Sequence, residues 1–123
     1  MLFRSGQPLS GTIRPAGNKN AALPIVAASL LADEPVVLRN VPNILDVDTM
    51  LELVDSTGAT VERTGRNEVR IDPRGLRRAS LDPALCTRIR ASVLLAAPLV
   101  ARTGHCLLPP PGGDVIGRRR ACR

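Results

Sequence analysis

The residue pattern predicts an α/β (α+β) fold in the order β–α–β–α–β–β, with a further α–β after it. Three observations carry this. Residues Ala21 to Leu31 are apolar on nearly every face of a helix, which marks a helix buried by strands. From Asp46 to Thr57 apolar residues recur at helical spacing. From Thr60 to Ile71 apolar and polar residues alternate across Gly65-Arg66-Asn67, the pattern of a hairpin.

Two short strands, Leu2–Ser5 and Thr12–Pro15, are predicted around the turn residues Gly6-Gln7-Pro8. Pro24 suits only a first helical turn, so the next helix is expected to start near Ala21 or Ala22. Lys19 and Asn20 would then sit at its N-terminal mouth, where free N–H groups and the helix dipole favour an anion. Pro35–Arg39 is a short strand. Asp46 is the expected N-cap of the second helix, with Val47, Met50, Leu51 and Val54 on one face and Gly58 as its stop. Asp82-Pro83 opens a further helix, broken or kinked near Pro98. His105–Leu108 is a brief strand, and Pro109–Gly117 is a loop. No internal repeat stands out.

The 123 residues are the size of one small domain, and their 44% hydrophobic and 23% charged content is that of a globular protein. No apolar run reaches the length of a membrane span and no signal-peptide core follows the first basic residue, so a cytoplasmic protein with no membrane partner is expected. Cys86, Cys106 and Cys122 are odd in number, lack metal-ligand spacing and read as reduced thiols. The net charge is +6, with a pI near 10.9. Basic chains bind nucleic acid, acidic membranes or phosphorylated metabolites. Nucleic-acid binders often interleave basic residues with aromatic platforms, and here Phe3 is the single aromatic. No nucleic-acid partner is expected. The composition also holds sixteen arginines against one lysine, Lys19. A compact, mobile ammonium offers what a planar guanidinium does not.

Three constellations could carry chemistry. Asn18-Lys19-Asn20 lies at a helix mouth, although two capping asparagines and a solvated lysine would look the same. Arg88-Ile89-Arg90-Ala91-Ser92 lies on the helix from Pro83. On a helix Arg88 and Arg90 point to different faces, so only one is expected at a site; Arg90, followed by small residues, suits a crowded groove. In Pro111-Gly112-Gly113-Asp114-Val115-Ile116-Gly117, glycines flank Asp114 as hinges, and Arg118-Arg119-Arg120 follows. A carboxyl on a mobile loop can deliver a proton once the loop closes. His105 has no partner in the local sequence and reads as a strand residue rather than a catalyst.

Together these stretches resemble a known family. Gly17-Asn18-Lys19-Asn20-Ala21-Ala22-Leu23-Pro24 is similar to a signature near the start of UDP-N-acetylglucosamine enolpyruvyl transferases. Ser29–Pro35, Asn40-Val41-Pro42 through Asp46-Val47, Arg90-Ala91-Ser92 and Pro98–Arg102 follow in register, and residues 111–117 resemble the catalytic loop. The resemblance covers nearly all of residues 5–120. It implies transfer of the enolpyruvyl group of phosphoenolpyruvate to the 3-hydroxyl of UDP-N-acetylglucosamine with release of phosphate, the first committed step of peptidoglycan synthesis. By the same resemblance Lys19 would contact phosphoenolpyruvate, and Asn20 would position the sugar and the intermediate. Arg90 would hold the nucleotide sugar, Arg119 would meet the phosphate, and Asp114 would stand at the catalytic position. Neither metal nor cofactor is implied.

Departures from the family pattern matter as well. Asp114 replaces the usual loop cysteine. It keeps proton-donor capacity if its pKa is raised in a closed site, but lacks a thiolate's nucleophilicity. Resistance to fosfomycin, which alkylates that thiol, is therefore expected. The sibling enzyme, 5-enolpyruvylshikimate-3-phosphate synthase, follows its lysine with serine, so Asn20 favours the sugar-nucleotide branch. The family fold has two domains of repeated βαβαββ units, of which residues 1–123 would be an N-terminal fragment without the second domain. Unpaired strand edges, uncovered helix faces and no activity in isolation are expected. A paralogue with another acceptor and a non-catalytic basic binding module are the competing readings.

Overall fold

A computed structural model of the chain describes Gly6 and residues 8–113. Its centre is a three-stranded antiparallel sheet in the order β1-β3-β2, made of β1 (Val36–Arg39), β2 (Thr60–Gly65) and β3 (Glu68–Asp72). Val36 stands opposite Ile71, and Ile71 stands opposite Val61, so apolar residues meet on one face. The two helices before the hairpin, α1 (Lys19–Ala28) and α2 (Leu45–Ser56), pack on each other, and α2 also packs on β2. The hairpin forms where the alternation predicts it, with Arg66 and Asn67 at the turn and an irregular register between Arg63 and Gly65.

The core is contiguous. Val47, Met50, Leu53 and Val54 of α2 are fully buried with Val26 and Leu30, and Val69 and Ile71 close it from the sheet. All four apolar positions assigned to the second helix are buried. Their spacing puts them on one stripe of the helix, so a single face meets sheet and neighbour.

The start of α1 differs from expectation. It begins at Lys19, two residues early, because the Asn18 side chain accepts hydrogen bonds from the Asn20 and Ala21 N–H groups at 2.7 and 3.3 Å and so caps it. Pro24 therefore lies inside the helix, where it has no N–H to give to the carbonyl of Asn20. The helix is not buried all round. Leu23, Val26 and Ala27 are buried, while Ile25 is 50% exposed. A short 3-10 turn, Ser29–Leu31, completes the segment, and Leu31 and, further along the chain, Val93 and Leu94 are also partly exposed.

Asp46 is not the N-cap of α2. Ile44 takes that position without a side-chain bond, and Asp46 and Asp48 lie in the first turn, where their charge meets the positive end of the dipole. Gly58 does end the helix, at φ 98°. There the turn after α2 and the turn after β3 touch backbone to backbone. A Cβ on Gly58 would lie 2.7 Å from the Gly75 carbonyl oxygen, and one on Gly75 would lie 2.3 Å from that of Gly58.

The segment from Pro83 is not one helix with a break near Pro98. It is α3 (Pro83–Cys86), a 3-10 segment (Arg90–Leu95) and α4 (Ala96–Thr103), interrupted at Thr87–Ile89. Asp82 caps α3 through the Ala84 N–H as expected, and Pro98 falls in the first turn of α4, where proline is tolerated. Thr12–Pro15 forms no strand, for it finds no ladder partner among the described residues, and Ile13 is exposed. The strand expected at His105–Leu108 shrinks to one bridge between Leu107 and Ser80. Leu2–Ser5 lies outside the described residues. No described helix is long and apolar enough to cross a membrane.

Candidate active-site groove

The break after α3 has a direct chemical consequence. Ile89 has extended backbone, φ −137° and ψ 143°. In an extended segment residues i and i+2 point to the same side, whereas on a helix they diverge. Ile89 is accordingly buried in the core, and Arg88 and Arg90 both emerge on the opposite side. Both line the same groove, which corrects the expectation that only one would face a site.

That groove, of about 260 Å³, is lined by Lys19, Asn20, Asp46, Arg88, Arg90 and Gly113, with Leu23, Ile89 and Ala91 at its apolar side. Three of the five residues expected at a site therefore meet here: Lys19, Asn20 and Arg90. The other two, Asp114 and Arg119, lie outside the described residues. Gly113, next in sequence to Asp114, lines the groove.

The approach to Gly113 is fixed by backbone contacts. The Gly112 N–H donates to the Cys86 carbonyl at 2.9 Å. A Cβ on Gly112 would lie 1.5 Å from the Thr87 carbonyl oxygen, so no larger residue fits without moving the backbone. Gly113 follows at φ 96°, beside the Arg90 backbone. The interruption that exposes both arginines thus also holds the start of the glycine-rich loop.

Among the described residues, three cations and one carboxylate line the groove. The Lys19 ammonium pairs with Asp46 Oδ2 at 2.7 Å, with both side chains roughly two-fifths to one-half exposed. Arg88 reaches Glu52 at 3.4 Å, a long contact that leaves it a groove residue. Arg90 makes no ion pair with any described residue. Because Asn18 takes the Asn20 and Ala21 N–H groups, the helix mouth offers an anion its dipole and the lysine rather than those two donors. Fixed cations around a small cleft suit a compact anion with phosphate or carboxylate groups.

Asp46 and Arg88 are groove residues that the sequence does not mark as such. Asp46 had a signal, an acidic residue in the first turn of α2, but its contact with Lys19 joins distant positions. Arg88 has no local signal, because a continuous helix would turn it away from Arg90. The thiols agree with their sequence reading. Cys86 and Cys106 are free, and burial pushes both thiols above their usual pKa, so neither is activated; Cys122 lies outside the described residues. His105 is exposed, with Nδ1 3.2 Å from the Thr103 carbonyl oxygen, and does not line this groove. No cluster of metal-ligating side chains occurs among the described residues.

The profile of the family described as EPSP synthase (3-phosphoshikimate 1-carboxyvinyltransferase) matches residues 3–120, and the chain belongs to this family of transferases. It is 59% identical over 97% of its length to a UDP-N-acetylglucosamine 1-carboxyvinyltransferase from Bradyrhizobium diazoefficiens, and covers 28% of that protein. The enzyme of the same description from Treponema denticola is 47% identical over 97% of this chain, again with 28% of the relative covered. The crystal structure of the enolpyruvyl transferase NikO from Streptomyces tendae aligns with a TM-score of 0.68 and 33% identity, over 80% of this chain and 23% of that one. The chain thus spans 28% of the length of these two curated relatives.

Proposed function

We propose that residues 1–123 are the N-terminal part of an enzyme that moves the enolpyruvyl group of phosphoenolpyruvate to the 3-hydroxyl of UDP-N-acetylglucosamine and releases phosphate. The observation that carries this reading is the meeting of Lys19, Asn20 and Arg90 in one groove with Gly113, the neighbour of Asp114. The relatives' descriptions supply the acceptor. In this reading Lys19 contacts phosphoenolpyruvate, Asn20 positions the sugar, and Arg90 holds the nucleotide sugar. Arg119 meets the phosphate from the loop.

The reaction adds the sugar 3-oxygen, which gives up its proton, to C2 of phosphoenolpyruvate while C3 takes up a proton; loss of phosphate from C2 and of a proton from C3 then restores the double bond as an enol ether. Asp114 is assigned the proton transfer, which a carboxyl performs if the closed site raises its pKa. The surrounding cations lower the cost of gathering a polyanion beside a diphosphate. Such an enzyme acts in the cytoplasm at the entry to peptidoglycan synthesis. The chain alone, with 28% of the relatives' length, is not expected to turn over.

The test measures phosphate released from phosphoenolpyruvate by the product of the complete reading frame containing these residues, and by the 123-residue chain. Release that requires UDP-N-acetylglucosamine, that persists after fosfomycin treatment, and that is absent from the chain alone supports the proposal. Release only with shikimate 3-phosphate or another acceptor assigns a paralogue. Salt-sensitive binding of nucleic acid, with no response to either substrate, would turn the chain into a basic binding module.

A further inference from the structure

A carboxylate in a groove built for anions needs a physical reason. Asp46 lies in the first turn of α2, lines the groove, and sits 2.7 Å from the ammonium of Lys19. Two effects of opposite sign follow. Asp46 orders the flexible lysine side chain, which helps an anion find it. It also repels that anion and competes for the same N–H donors.

The magnitudes favour the second effect. An ion pair this exposed contributes little net free energy, and the ordering it gives one side chain is correspondingly small. Repulsion between Asp46 and a doubly charged anion a few ångströms away acts on each of the anion's charges and is larger. We propose that Asp46 is an internal counter-ion of Lys19 that an incoming phosphoryl anion must displace. It sets the groove's anion affinity below what Lys19, Arg88 and Arg90 would otherwise give. The same competition returns Lys19 to Asp46 as inorganic phosphate departs, so that the released product does not block the groove. This inference rests on the reading of the groove as the phosphoenolpyruvate site.

Lys19 is the single lysine of the chain, so lysine carrying ¹³C at Cε gives one side-chain signal that reports on this ion pair. The labelled 123-residue chain is titrated with inorganic phosphate and with phosphoenolpyruvate, as wild type, Asp46→Asn and Asp46→Glu. The other charged groups that line the groove among the described residues, Arg88 and Arg90, are unchanged in all three. Loss of the ion pair is expected to move the Lys19 signal in Asp46→Asn before any ligand is added. Phosphate and phosphoenolpyruvate are expected to bind that variant roughly five- to ten-fold more tightly than wild type, the size of effect one nearby unit charge produces in a solvent-exposed groove. Asp46→Glu, which keeps the charge, should stay within about two-fold of wild type. In about 1 M inert salt, where the Debye length falls to ~3 Å, the difference between Asp46→Asn and wild type should shrink.

Equal or weaker anion binding by Asp46→Asn overturns the proposal and makes Asp46 a support for Lys19 instead, leaving the phosphoenolpyruvate site intact. A Lys19 signal that ignores both anions in all three proteins overturns the proposal together with the reading of the groove. A Lys19 signal unchanged by Asp46→Asn without ligand means that Asp46 is not its counter-ion, and overturns the proposal while leaving the reading of the groove.

Discussion

Residues 36–72 and residues 82–113 reach their places by different physical means. In the first region each element is specified by its own periodicity: one apolar stripe along α2, and alternating faces on β2 and β3. Side-chain burial then holds the parts together, with Met50 and Leu53 fully enclosed. In the second region the pieces are short, and α3 has four residues. They are placed by a proline and an aspartate cap, an extended Ile89, and a glycine pressed against a carbonyl. The first region gives a platform. The second gives chemistry, because an interrupted helix can send two arginines the same way and a regular one cannot.

The largest expected effect lies in the platform. Met50→Ala removes a fully buried side chain from the middle of the core and should cost about 2–5 kcal/mol, a large share of the ~5–15 kcal/mol available to a small domain. Urea unfolding followed by far-UV circular dichroism measures it. A smaller loss than that from Ile89→Ala would reverse the ranking of the two regions. Next, Gly112→Ala forces a methyl group toward the Thr87 carbonyl and should cost roughly 1–3 kcal/mol, with the damage confined to residues 86–113. Hydrogen exchange should quicken at the position-112 amide, which donates to Cys86, while the β1–β3 amides keep their protection. Loss of protection across the whole sheet would mean that the two regions unfold as one.

The smallest effect marks the seam between the regions. Asp72 accepts from the Arg74 N–H and pairs with the Arg74 guanidinium, whose hydrogen bonds hold the Asp72 carboxyl at a pKa of about 2, below its ordinary 3.8. A carboxylate depressed by folding stabilises above its ordinary pKa and loses that contribution as pH falls through the folded value. Asp72→Asn should therefore lower Tm by a few degrees at neutral pH, and the gap should close as the acid limit near pH 2 is reached. Thermal melts across this range check it. A gap independent of pH would assign the effect to the cap alone.

The same contrast explains what was legible in the sequence. Val47, Met50, Leu51 and Val54, the hairpin turn and the Asp82 cap were fixed by local spacing, and the structure has them all. Lys19, Asn20 and Arg90 were marked by local composition and family resemblance, and they share one groove. The structure departs from local spacing where the deciding contact is non-local. Thr12–Pro15 has the residues of a strand but no ladder partner among those described. Asp46 has the residue type of a cap, yet its carboxylate turns to Lys19 across the groove. Arg88 points away from the site only on a continuous helix, and the helix ends at Cys86, where the carbonyl is met by Gly112 rather than by a further turn.

The backbone contact between Gly58 and Gly75 has a consequence in time. Beside it the Thr57 carbonyl accepts from both Arg77 and Arg78 N–H groups at 3.0 Å, which clasps the end of α2 to the return of the hairpin. This closure joins positions only one hairpin apart, so it demands little chain entropy. The groove instead needs α1 to find the 3-10 segment across most of the described sequence. Local closures precede distant ones in a folding chain. The clasped hairpin and α2 are thus expected to organise first, and the charged groove to be assembled last, on a surface already in place.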